Sequence, residues 1–575
     1  VISKKLLFSI TVPLSLNYAL ATVQVIPKAL EDLRLMEMNR IPLMLKQAGS
    51  FNTPTFANPE NWFNLSPSEG IEGVRTEEAY NQFGLPISED IIVAVIDSGV
   101  DVNHEDLQGK IWINKGEIPN DGLDNDGNGY VDDVFGWNFI GGVEGQASIV
   151  EEPTLKNGIR LVQGKPEAQI GADSLEVTRE LVRMKKLKQK VEELGEVLTP
   201  TQADYLDKLQ TTVSENVKNA KEVLATNKMR LETYKKNEKI LNDNGLSIIT
   251  IESVRDFSSH DPIVLAARDE MLKMLSNNQT EKRLKRVIQR FSDELEFFYN
   301  EDFNPRVIVG DNYLDGNQRI YGNNDVIGPD ADHGTHVSGS IAADRVNGFG
   351  IKGVATNVKI MAVRVVPNGD ERDKDVANGI RYAVDNGAKI INMSFGKAFS
   401  PFKKLVDDAV RYAESKGVLL VHAAGNDNKN NDLLPSFPSR FDKKESREFS
   451  NWLEIGASSS KKGLTLPATF SNFGKKTVDF FAPGVEIYST TPFNTYDTLS
   501  GTSMATPTAA GVAAMLMSYE PSLDAESVKA LMIDTSRRYP KLKVYLPGTK
   551  QEVLFSSLST YGSVVDVFEA LNSSK

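Results

Sequence analysis

The sequence predicts an α/β protein: a mostly parallel sheet with helices on both faces, plus an inserted α-helical hairpin region. Three observations carry this. Short apolar runs without polar alternation recur along much of the chain. Helical periodicities separate them. A long Lys-, Glu- and Leu-rich segment interrupts the series between residues 146 and 303.

The apolar runs come first. Ile91–Ile96 has six consecutive apolar residues, and Val358–Val366, Lys389–Met393 and Val418–His422 are similar. Strands that do not alternate are buried on both faces, as in parallel sheets. Helical patterns over Val376–Asn386 and Phe402–Lys416 supply the covering layers. In such sheets active residues gather at the carboxyl ends of strands.

Residues 146–303 read differently. Leu181, Met184, Leu187, Val191, Leu194 and Leu198 recur at spacings of three and four, and Thr199-Pro200-Thr201 then offers a break and a new start. Leu206, Leu209, Val213, Val217, Ala220 and Leu224 resume the pattern. The spacing predicts helices of roughly 24 and 35–40 residues, about 36 and 55 Å long. Further helices are expected near Pro262–Leu275 and Thr280–Phe298. Their narrow apolar stripe predicts a self-contained antiparallel hairpin that could be removed without unfolding its host.

Composition bounds the function. With 575 residues the chain can hold more than one compact unit, and its net charge of −13 argues against nucleic acid as a partner. No cysteine is present, so thiol nucleophiles, thiolate metal sites and disulfides are excluded. Lys4 and Lys5, the apolar run Leu6–Leu16 and Ala19-Leu20-Ala21 follow the order of a secretory signal over residues 1–21. That run is too short for a span, so no stable membrane anchor is expected. The protein is expected to be exported: periplasmic, cell-surface or extracellular.

Three segments carry chemistry. Asp97 follows the first apolar run in Val95-Ile96-Asp97-Ser98-Gly99, and His333 opens His333-Gly334-Thr335-His336-Val337-Ser338-Gly339. Ser503 lies in Gly501-Thr502-Ser503-Met504-Ala505-Thr506-Pro507, ahead of an apolar helix pattern. A serine hydroxyl needs a base beside it to act as a nucleophile at neutral pH. An imidazole can take and return the proton, and a buried carboxylate can fix the imidazole tautomer. Alone, each residue has a plain alternative, a turn aspartate or a helix-capping serine. His336 points into the helix and reads as structural.

Together the three segments, in the order Asp, His, Ser, resemble the subtilase family over about 85–145 and 304–540. The resemblance implies a subtilisin-like fold, a serine endopeptidase with Asp97, His333 and Ser503 catalytic, and protein or peptide substrates. Val421-His422-Ala423-Ala424-Gly425-Asn426 resembles the family's oxyanion segment, which gives Asn426 that role; its other reading is a turn residue. Asn392-Met393-Ser394-Phe395-Gly396 resembles the substrate strand, with Ser394, Phe395 and Gly396 pairing to an extended peptide. Ser436-Phe437-Pro438 aligns with the base and wall of the S1 pocket, Ser436 included. No charge is evident there, which points to a neutral or apolar P1 residue. A non-catalytic binding or scaffold protein on the same fold is the alternative.

A calcium loop is expected at Asp124–Asp133. Asp124, Asp126 and Asn128 occupy alternate positions, Gly129 allows a sharp turn, and the Tyr130 carbonyl and Asp132 complete a set of hard oxygen donors suited to Ca²⁺. Position twelve of the loop is Phe135, so an EF-hand's glutamate is missing and Asp132 or Asp133 would substitute. An Asx-rich turn without metal is the alternative.

The chain departs from the family in two places. Asp97 and His333 are 236 positions apart, an excess explained by the insertion 146–303. Three roles are open to that insertion: an arm that binds another protein, a lid or a spacer. Residues 22–85 read as an N-terminal extension or reduced propeptide, with Asn61–Tyr80 resembling the lead-in of mature subtilases and any maturation cut before Asn61. The peptidase domain is expected over 86–145 and 304–575, with no further C-terminal domain.

Overall fold

The apolar run Ile91–Ile96 becomes the central strand of a large sheet, and its burial explains its composition. The structure is a computed structural model that describes residues 59–86, 88, 90–142, 161–162, 165–166 and 175–574. The signal-like segment 1–21 and residues 22–58 lie outside the described residues.

The sheet uses β1 (Ile91–Asp97), β2 (Gly136–Asn138), β3 (Val358–Arg364), β4 (Ile390–Met393), β5 (Leu419–Ala423), β6 (Trp452–Ser458) and β7 (Phe480–Pro483). A hairpin of β8 (Ile487–Thr491) and β9 (Thr495–Leu499) follows outside it, and β10 (Arg537–Arg538) and β11 (Ser563–Val564) complete the sheet. The nine strands run in the order β10-β11-β7-β6-β5-β4-β1-β3-β2. All pairs are parallel except β10 with β11.

Successive residues of β1 face opposite cores. Val93 and Val95 join a cluster with Val337, Ile341 and Ala509, whereas Ala94 and Ile96 join Val363, Ile380 and Ile391 in another. Both faces of the strand are therefore apolar, and alternation is absent. Each fully buried Val or Ile contributes roughly 1.5–3 kcal/mol, which anchors the strand that ends in Asp97.

The covering helices are α1 (Thr76–Phe83), α7 (Asp332–Ala342), α8 (Asp373–Asp385), α9 (Lys403–Ser415), α10 (Thr502–Tyr519), α11 (Ala525–Asp534) and α12 (Val567–Ser573), the numbers α2–α6 falling in the insertion. The lead-in segment belongs to the core: Trp62 and Phe63 are fully buried, and the Trp62 indole N–H donates to the Glu486 carbonyl at 3.1 Å.

Among the described residues the helices of the insertion are α2 (Glu176–Glu193), α3 (Pro200–Asp243), α4 (Ile251–Asp256), α5 (Pro262–Ser276) and α6 (Glu281–Asp293), the last running into a π turn at Glu294–Phe298. α2 is shorter than its periodicity predicts, because Gly195 turns left-handed (φ 74°) and leaves Leu194 exposed. α3 is longer, with 44 residues spanning about 66 Å. Thr199 and Gln202 form a capping box at its start, as the Thr-Pro-Thr signal predicts. Val177, Leu181 and Met184 of α2 pack on Leu206, Leu209 and Val213, while Tyr234 and Leu241 pack on α4, α5 and α6.

The start of α2 meets the end of the π turn, since the Leu175 N–H donates to the Phe298 carbonyl and Lys185 pairs with Glu301. At its root the insertion is packed into the sheet domain. Glu176, the first residue of α2, is buried against the sheet domain, where its carboxylate meets Arg372 at 3.2 Å, Lys397 at 3.3 Å and the Tyr313 hydroxyl at 2.5 Å. Excising 146–303 whole would strip these buried groups of a charged partner. No described helix is long and apolar enough to cross a membrane.

Candidate active site

The carboxyl edge of the sheet gathers the predicted residues. Asp97 ends β1, Ser394–Gly396 follow β4, and Asn426 follows β5; His333 and Ser503 begin α7 and α10.

Asp97 is buried, and its Oδ1 lies 2.8 Å from His333 Nδ1. The same oxygen accepts the Ser98 N–H at 2.8 Å, which fixes the carboxylate plane. The Nδ1 position facing a carboxylate carries the proton and leaves Nε2 as the basic nitrogen. Close approach of α7 to β1 depends on Gly334: a Cβ there would sit 2.1 Å from the Gly99 carbonyl oxygen. Burial pulls the His333 pKa down, but the Asp97 carboxylate beside it and Asp330 outweigh that effect, and the net shift is upward. His336, one turn on, is fully buried and donates Nε2–H to the Ile487 carbonyl at 3.0 Å. Burial, then the neighbouring His333, push its pKa down to about 4, so it stays neutral and structural.

Ser503 Oγ donates to the Ser394 carbonyl at 2.9 Å, so in this rotamer its proton is given there and not to His333. The reciprocal bond runs from Ser394 Oγ to the Ser503 carbonyl, also at 2.9 Å. The proline of the serine motif explains why that carbonyl is available. Pro507 lies four residues on, inside α10, and has no N–H to give it. The serine helix and the segment after β4 are thereby stitched together, and Asn392 Nδ2 steadies Ser394 Oγ at 2.9 Å.

Asn426 Oδ1 accepts both the N–H (2.8 Å) and the hydroxyl (3.0 Å) of Thr502. Its amide nitrogen is thus committed to the other direction. A Cβ placed on Gly501 would lie 3.4 Å from Asn426 Nδ2 and 3.6 Å from the Ser503 N–H nitrogen, so the two donors border one small space. Gly425 supplies the turn before it, with φ at +106°.

Beyond Ser394, Gly396 faces Ser436, whose Oγ a Cβ on Gly396 would meet at 2.9 Å. Phe395 is buried edge-on to His422, with ring centroids 6.4 Å apart. Behind this wall lies a polar group that sequence reasoning misses. His422 is fully buried, its Nδ1 lies 3.0 Å from Glu454, and Trp452 donates to the same carboxylate at 2.8 Å. The one signal for it is an ionisable residue closing the apolar run Val418–His422.

The acidic loop lies apart from these groups in the chain. Asp124 and Asp126 come together with Glu117, one carboxylate oxygen of each lying within 4.8 Å of the others. Sequence reasoning misses Glu117, because it precedes the Asp-rich motif. It is buried, and it accepts the N–H groups of Asn125, Asp126 and Asp132. Asp132 is buried with Oδ1 unpartnered, while its Oδ2 accepts the Gly122 N–H at 3.0 Å. Asn128 contributes its side chain to Asp126 and Asp133, and its Oδ1 accepts the Tyr130 N–H. Tyr130 buries its ring, and its hydroxyl donates to the Arg319 carbonyl. Asp133 faces inward to Tyr382 at 2.6 Å, and burial raises its pKa to about 6.

Known proteins place this arrangement. The model of the Subtilase family matches residues 88–562. "Thermophilic serine proteinase" of Bacillus sp. (strain AK1) is 38% identical over 222 residues, 38% of this chain and 49% of that protein. Subtilisin DY of Bacillus licheniformis is 38% identical over 36% of this chain and 70% of its own length. Thermitase of Thermoactinomyces vulgaris is 40% identical over 36% and 67%. The chain thus spans about half the length of the first and about two thirds of the other two. With the family match running across both halves of the sheet and the helical insertion between them, this chain belongs to the Subtilase family.

Proposed function

We propose that the protein is an exported serine endopeptidase that cleaves peptide bonds through an acyl-enzyme, with Asp97, His333 and Ser503 as its triad. The observation that carries this reading is the 2.8 Å pair of His333 Nδ1 with the buried Asp97 carboxylate at the sheet edge where α10 presents Ser503. Export rests on the charged, apolar and small-residue order of residues 1–21.

In this mechanism Ser503 Oγ swings from the Ser394 carbonyl toward His333 Nε2. As Oγ bonds to the scissile carbonyl carbon, Nε2 takes the hydroxyl proton. Asp97 holds the ring and stabilises the imidazolium without taking the proton. Negative charge on the carbonyl oxygen falls between Asn426 Nδ2 and the Ser503 N–H. His333 then protonates the leaving amine, the C–N bond breaks, and a water repeats the sequence on the ester. The peptide lies extended along Ser394–Gly396, its P1 side chain entering beside Gly396 and Ser436.

Profiling the purified chain on a library of blocked peptides tests this. Cleavage of internal bonds is expected, and release of terminal residues alone would contradict it. Replacing Asn426 with alanine is expected to lower kcat by about 10²–10³ with little change in KM. An unchanged kcat would make Asn426 a turn residue.

Glu117, Asp124 and Asp126, whose carboxylate oxygens converge within 4.8 Å, fit a Ca²⁺ ion with all-oxygen donors, and Asn128, the Tyr130 carbonyl and Asp132, whose buried Oδ1 has no partner, are further donors offered by the same loop. Such an ion would supply no step of the reaction; it would offset the repulsion of the carboxylates and tie the β1–β2 connection. At a hundredfold excess over Kd it would stabilise the fold by about 2.7 kcal/mol. Chelation is therefore expected to lower Tm, and Asp126→Ala to abolish that response. A melting curve indifferent to calcium and chelator would remove the site.

A further inference from the structure

The residue that ends the substrate segment also anchors the insertion. Lys397 follows Ser394-Phe395-Gly396, and its backbone exchanges two hydrogen bonds of 2.9 Å with Phe437, beside Ser436. It therefore joins the Ser394–Gly396 segment to Ser436–Phe437, the two segments assigned above to the P1 side chain. Its side chain leaves that space and is buried in a polar cluster. Nζ donates to the Glu371 carbonyl at 2.5 Å and pairs with Asp373 at 2.9 Å and with Glu176 at 3.3 Å.

Glu176 comes from the other side of this junction. It opens α2, and its N–H donates to Asp370 at 3.1 Å. Its carboxylate is buried, held by Lys397, Arg372 and the Tyr313 hydroxyl. The sheet-domain residues of this cluster supply three acids, Asp370, Glu371 and Asp373, and two bases, Arg372 and Lys397. The insertion contributes a fourth acid at the point where the chain turns into the arm. Without Glu176, Lys397 keeps Asp373 but loses the partner that the insertion supplies, and Arg372 loses the same carboxylate. Lys397 is the one of the two whose backbone also bonds to Phe437.

We propose that Glu176 is a positioning residue for P1 recognition: through Lys397 it sets Ser394–Gly396 against Ser436–Phe437, which makes the root of the helical insertion part of the specificity apparatus. This rests on the endopeptidase reading and deepens it. Misplacing a substrate-positioning group by about 1 Å can cost 10²-fold, and here the loss should fall on substrates that fill the P1 space.

The test uses the full chain and its Glu176→Gln variant. Each is measured on peptides that differ only at P1, and on a small fluorophosphonate that needs the triad but does not fill P1. For the best P1 residue, kcat/KM is expected to fall about 10–100-fold, mainly through KM, with the ranking of P1 residues flattened. Glu176→Asp should restore part of the ranking, and labelling by the small probe should keep its rate. An unchanged P1 ranking in the folded variant overturns the proposal, as does a labelling rate that falls in step with peptide cleavage. If Glu176→Gln does not fold, the double variant Glu176→Gln/Lys397→Met removes both buried charges and must show the same flattened ranking. Insolubility of both would make Glu176 a folding residue and also overturn it. Failure of the unmodified chain to label would strike the endopeptidase reading instead.

Discussion

Replacing Ser503 with alanine is expected to lower kcat by about 10⁶ and leave the fold intact. The fold should survive because Ser503 Oγ makes one hydrogen bond, to the Ser394 carbonyl, and a neutral hydrogen bond contributes only about 1 kcal/mol. The stitch between α10 and the substrate segment keeps its other half, Ser394 Oγ to the Ser503 carbonyl, which alanine leaves in place. Catalysis has no such reserve. In the proposed mechanism no acyl-enzyme forms without Oγ, and what remains is the polarising effect of Asn426 and the backbone N–H of residue 503 on a bound peptide. Steady-state turnover of a chromogenic peptide, with a melting curve on the same sample, measures both halves. Turnover near the unmodified rate would show that another residue is the nucleophile.

Asp97→Asn is expected to lower kcat by about 10⁴. The Asp97 carboxylate accepts His333 Nδ1–H at 2.8 Å and fixes Nε2 as the base. An amide of the same shape can offer its N–H₂ to Nδ1 instead, which selects the wrong tautomer. It also removes the charge that stabilises the imidazolium. A second consequence concerns pH. Burial lowers the His333 pKa, but Asp97 and Asp330 raise it further, so its net value stands above the ordinary one of about 6.5. Protonated His333 cannot act as base, so activity is lost as pH falls through that raised value. In the Asp97→Asn enzyme the residual activity should persist to lower pH. A pH–rate profile of both proteins checks the sign, and an acid limb that stays in place would show that another group controls it.

How much of this is legible in the sequence follows from the range over which each feature is encoded. The strand ending in Asp97 is local: six apolar residues without alternation state that both faces are buried, and the clusters around Val93, Val95, Ala94 and Ile96 agree. The start of α3 is local as well, since Thr199 and Gln202 cap it within four residues. The end of α2 differs from its expected position, because the Leu stripe runs on past Gly195, whose left-handed backbone breaks the helix. Pairings between distant residues have no local signature. Glu117 joins the acidic loop from before the Asp-rich motif. Glu454 reaches His422 from the adjacent strand. Glu176 and Lys397 lie 221 positions apart. Each of these is a charged residue whose partner only the fold supplies. That is why the insertion reads as a separate hairpin, when Glu176 at the start of α2 is embedded in the sheet domain.

The most direct test of the account is to treat the full chain with a fluorophosphonate, digest it and locate the adduct by mass spectrometry. One adduct is expected, on Ser503, formed by the unmodified chain and absent from its His333→Ala variant. An adduct on another serine, or none while internal peptide bonds are still cleaved, would contradict it.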